Sequence, residues 1–81
     1  MADMAAKLLE ALNLDRSGHW DEAHSLVQPL EDTLAYWIHA YLHRKEGDQG
    51  NAAYWYQRAG KTVPEMALED EWQAIHRILQ P

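Results

Sequence analysis

Apolar residues recur along the whole chain at intervals of three and four, the spacing that places side chains on one side of an α-helix. Met4, Leu8, Leu9, Ala11 and Leu12 form the first such stripe and predict a helix from about Asp3 to Asn13, broken at Ser17-Gly18. Trp20, Ala23, Val27 and Leu30 mark a second, from about Trp20 to Gln28, with Asp21 and Glu22 in the first turn and Pro29 at its end. A third runs from Asp32, a capping residue, to Glu46, with Gly47 as its stop. Asp48 caps a fourth that reaches about Lys61. The fifth is expected to open at Thr62-Val63-Pro64-Glu65, where Thr62 and Glu65 have capping-box spacing and Pro64 suits a first turn. Leu68, Trp72, Ile75 and Leu79 give it a regular stripe, with Glu65, Glu69, Asp70 and Glu71 early and His76 and Arg77 late, as the helix dipole favours. No segment alternates apolar and polar residues as a strand would.

The third helix differs from the rest. Leu34, Trp37, Ile38, Tyr41 and Leu42 share one broad face, and Tyr36, His39, Ala40 and His43 share much of the other. A helix with so little polar surface is buried on two sides, which places it in the middle of the fold. Short connections make neighbouring helices antiparallel.

Two pieces of the chain align at a shift of 29 residues: Gly18 with Gly47, Ala23 with Ala52, Val27 with Tyr56 and Leu30 with Ala59. The glycine reverses the chain, and the small alanine five residues later allows the second helix to approach the first. This pattern resembles the tetratricopeptide repeat. The better unit reads Tyr36, His39, Ala40, His43, Gly47, Ala52, Tyr56, Ala59 and Pro64, with His39 and His43 where the family prefers Leu and Tyr. The resemblance covers roughly residues 4–64. It implies an all-α single domain over 1–81: two antiparallel helical hairpins and a C-terminal capping helix.

The resemblance also implies a function. In that family Leu34, Trp37, Tyr41, Arg44 and Lys45 would line a concave groove for an extended peptide. The expected site is therefore Trp37, Tyr41, Arg44 and Lys45, with the rings supplying contact area and Arg44 gripping a carboxylate. Four of the seven basic residues (Arg44, Lys45, Arg58, Lys61) fall between 44 and 61, which suits an acidic or C-terminal peptide. The competing account makes Trp37 and Tyr41 core residues and leaves Arg44 and Lys45 solvated at a helix end.

Composition narrows the alternatives. The formal charge is −6, from 13 acidic and 7 basic residues, which argues against a nucleic-acid binder. Absence of cysteine excludes disulfides and thiolate sites. No apolar run approaches the roughly 20 residues of a membrane span. The first residues lack a basic segment followed by an apolar one, so the expected setting is cytoplasmic, with no membrane contact. No cofactor and no catalysis are expected. Ser17 lies in a turn but follows no strand, as a nucleophile elbow requires, and Glu69, Asp70 and Glu71 read as solvated carboxylates.

Two rival readings remain. His39, His43 and Glu46 fall on one helix face and are candidate metal ligands, the basis of a small metal-dependent or histidine-based enzyme; His24 and Glu22 are possible further ligands from another helix. His19, His24 and His76 otherwise read as lone histidines. The second rival is a structural homodimer joined through tryptophan-rich faces, and Tyr54, Arg58 and Lys61 on the fourth helix offer a second contact surface.

Overall fold

The computed structural model describes residues 3–80, which form five α-helices: α1 (Met4–Arg16), α2 (Trp20–Val27), α3 (Thr33–Glu46), α4 (Gln49–Arg58) and α5 (Leu68–Leu79). No strand occurs among the described residues. Helix starts follow local chemistry. The Asp32 carboxylate accepts from the backbone N–H groups of Leu34 (2.8 Å) and Ala35 (3.3 Å), and Asp48 accepts from that of Asn51 (3.2 Å). Gly18 and Gly47 adopt φ of 87° and 90°, a region costly for any residue with a Cβ. At both, the glycine N–H donates three residues back and the next N–H donates five back, so α1 and α3 end in the same turn.

These turns lay α2 against α1 and α4 against α3. Ala23 and Ala52 are buried at the two contacts. α3 touches all four other helices, and from Ala35 to His43 only Tyr36 keeps substantial exposure. The centre is filled by Leu8, Leu12, Val27, Ile38, Leu42 and Ile75, each side chain worth about 1.5–3 kcal/mol of transfer free energy. α5 closes the fold against α1 and α3. The Trp72 indole N–H donates to the Leu12 carbonyl (3.1 Å), the Arg16 guanidinium lies 3.5 Å above the Trp72 ring, and Arg16 pairs with Glu69 at 2.6 Å. Among the described residues, no helix is long and apolar enough to cross a membrane.

Three boundaries differ from the sequence expectation. α1 continues to Arg16, a turn beyond Asn13, because Asp15 faces inward and is buried. α4 stops at Arg58, ahead of Lys61, where Gly60 turns left-handed with φ of 74°. α5 begins only at Leu68, and the Thr62–Glu65 capping box does not form. Val63 precedes proline, which disfavours the helical conformation at Val63 itself. Arg44 then pins the connection by donating to the Met66 carbonyl (2.5 Å).

Candidate functional site

The face of α3 expected to hold a peptide is engaged by the chain's own carboxylates. Trp37 Nε1 donates to Glu71 Oε2 (2.9 Å), and Arg44 Nη1 donates to Glu71 Oε1 (2.7 Å). Glu71 comes from α5, is 0% exposed, and also accepts from the Tyr56 hydroxyl (2.5 Å). One turn along, the Tyr41 hydroxyl (3.2 Å) and Lys45 Nζ (2.9 Å) both donate to Asp15 of α1. Burial, reinforced by the adjacent carboxylates, pushes the Tyr41 and Tyr56 phenols far above their ordinary range. The expected chemistry of ring-plus-cation pairs holding carboxylates is present, but the acids arrive intramolecularly. Trp37 and Tyr41 are core residues rather than the floor of an open groove. Glu71, expected to be solvated, is the most deeply buried charge in the fold.

The opposite side of α3 carries a cluster of histidines. His39 and His43 lie one turn apart, and α2 brings His24 to them. Their nearest ring nitrogens all fall within 4.8 Å of one another. His39 and His43 are 3% and 7% exposed, while His24 is half-buried. Two tryptophans fix the rings: Trp20 stacks on His24 (centroids 5.0 Å, planes 8° apart) and Trp55 on His39 (3.9 Å, 15°). Trp20 is itself anchored by donating to the Leu42 carbonyl (2.8 Å). Glu46 Oε1 sits 2.7 Å from His43 Nδ1, which leaves Nε2 as the free nitrogen of that ring. Burial lowers the pKa of His39 to about 4, with further lowering by His24 and His43. Burial and then His43 also lower that of His24. At neutral pH, His24 and His39 are therefore uncharged, with lone pairs available.

Beyond Trp55 the same side of the fold continues as an exposed aromatic face. Arg58 donates to the hydroxyls of Tyr54 (3.2 Å) and Tyr36 (3.4 Å). Its guanidinium carbon lies 4.8 Å from the Tyr36 ring centre and 5.0 Å from that of Trp55. Tyr54 is 51% exposed. Arg16, Arg44 and Lys45 each pair with a carboxylate, but Arg58 has no such partner among the described residues.

His39 and His43 stand together as their spacing implies, and His24 joins them from α2, whereas the two buried acids, Asp15 and Glu71, are not among the expected site residues. Their signal was present. Asp15 follows Leu8, Ala11 and Leu12 on the α1 stripe, and Glu71 falls between Leu68 and Trp72 on that of α5. A carboxylate standing in an apolar stripe is a candidate for a buried, paired charge. No protein-family model, curated protein or solved structure matches the chain.

Proposed function

We propose that this chain is a non-catalytic interaction module, built from two hairpins stacked as in tetratricopeptide repeats, that binds an acidic segment of a protein partner on the outer face of α3 and α4. Support for the repeat-like arrangement comes from the matching turns at Gly18 and Gly47 and from the buried alanines five residues after each. The single observation that carries the binding reading is Arg58. In a chain with almost twice as many acids as bases, it is framed by Tyr36, Tyr54 and Trp55 and bonded only to phenol hydroxyls. A partner's carboxylate completes its hydrogen bonding bidentately, and the three rings supply the flat contact area typical of interface centres.

The test is a titration of isotopically labelled protein with short peptides rich in Asp and Glu and carrying one aromatic residue, followed by amide chemical shifts. Shifts should centre on Tyr36, Tyr54, Trp55 and Arg58. Arg58→Glu should weaken binding at least about tenfold, or ~1.4 kcal/mol, and added salt should weaken it in the native protein. Equal affinity in Arg58→Glu removes the reading. So does a response centred instead on concentration-dependent self-association in sedimentation, which would favour a homodimer.

A further inference from the structure

We infer that His24, His39 and His43 form a binding site for a divalent transition-metal ion of the zinc class, with Glu46 as the residue that orients His43. The site adjoins the docking face through Trp55, which stacks on His39, but shares no ligand residue with it.

A point shared by three nitrogens no more than 4.8 Å apart lies within about 2.8 Å of each, against the ~2.0–2.1 Å of a zinc–imidazole bond. Small rotations of the three side chains close that gap. The ligands come from two helices in different hairpins: His39 and His43 from successive turns of α3, and His24 from α2. Among the described residues His24 and His39 make no side-chain hydrogen bond, yet no wholly enclosed side-chain nitrogen is left without a partner, so their ring nitrogens keep some solvent contact and stay within reach of an ion. Their neighbours are stacked indoles, which carry no available lone pair, and further imidazoles, whose lone pairs can bind an ion.

The outer contacts point the same way. A metal-bound histidine commonly gives its second nitrogen to a carboxylate, which fixes the tautomer and raises ligand basicity. Glu46 does this for His43 at Nδ1 and leaves Nε2 for the ion. Imidazole-only coordination suits zinc, copper and nickel better than magnesium or calcium. Three protein ligands leave a fourth position, and half-buried His24 provides the way in from solvent.

The full chain, stripped with a chelator and dialysed, should be titrated with Zn2+ by calorimetry and with Co2+ by visible absorption. One ion per chain is expected, with the absorption of four-coordinate Co2+. A change in tryptophan emission should accompany it, because Trp20 and Trp55 lie on ligand rings. His24→Gln and His39→Ala should each lose more than about 100-fold in affinity, and Glu46→Gln about 10-fold. His76→Ala, stacked on Trp72 away from the cluster, should bind as the native chain does. Should His39→Ala fail to fold, the half-exposed His24→Gln decides the matter alone. Absence of Zn2+ binding at 100-fold excess, or binding undiminished in His24→Gln, overturns the inference. Failure of the acidic peptides to bind leaves it intact, since none of the three ligands lies among the docking residues.

Discussion

Glu71 accepts hydrogen bonds from an indole, a phenol and a guanidinium at a position with no exposed surface. Removing a buried charge strands its partner: in Glu71→Ala, Arg44 would keep a largely desolvated charge, and the Trp37 and Tyr56 donors would lose their acceptor. The expected cost is about 3–5 kcal/mol, the range for breaking one side of a buried pair, measured by urea unfolding monitored through tryptophan fluorescence. A loss below about 1 kcal/mol, the level of an exposed ion pair, would show that Arg44 finds solvent without help. At this scale the sequence was only partly legible. Periodicity identified which α3 rings share a face. It did not say whether that face meets solvent or a neighbouring helix, because the acids that meet it, Asp15 and Glu71, lie 26 residues before Tyr41 and 34 residues after Trp37. Arg58 shows the converse, since its frame of Tyr54, Trp55 and Tyr36 is set mostly within α4 and one turn of α3.

The helix starts capped by Asp32 and Asp48 and the stop at Gly47 follow from local chemistry; the end of α4 is also local, at Gly60, but is expected at Lys61, and the start of α5 depends partly on a distant contact. Asp32, Asp48, Gly47 and Gly18 act through atoms within five residues, and each acts as its chemistry requires. The start of α5 depends on Val63 preceding proline and on Arg44 reaching Met66 across 22 residues. A pair of substitutions separates the two cases. Asp32→Ala and Asp48→Ala should each cost about 1 kcal/mol, the usual loss for a capping side chain. Thr62→Ala and Glu65→Ala, in an exposed connection without the predicted box, should stay within about 0.5 kcal/mol. Thermal denaturation of the four variants checks this. A loss at Thr62 equal to that at Asp32 would mean that a capping box forms in solution.

Across the whole molecule, the histidine cluster ties stability to acidity. His39 has its pKa lowered to about 4 in the folded chain, against an ordinary 6.5, and His24 is shifted in the same direction. Between those values the unfolded chain takes up a proton that the folded chain refuses. Stability is therefore complete above about pH 6.5 and falls as the pH drops toward 4, by at most about 3 kcal/mol for His39. The lowered pKa values of Asp48 and Glu69, held down chiefly by side-chain hydrogen bonds from Asn51 and Gln73, add to the decline at the lower end. Melting temperatures recorded from pH 8 to pH 4 should trace this slope, and His39→Gln should flatten its upper part. An unchanged slope in that variant would place the acid sensitivity elsewhere.

The five helices gather into a body of 34 × 24 × 23 Å, and the last one rests on the first through Trp72 and Arg16. An open superhelix frays from its ends, because each terminal unit has a single neighbour. Here the opening and closing rods brace one another, so neither has a loose flank from which melting can start. Amide protons in the middle of α1 and of α5 should exchange at similar slow rates, and the chain should come apart all at once rather than peel.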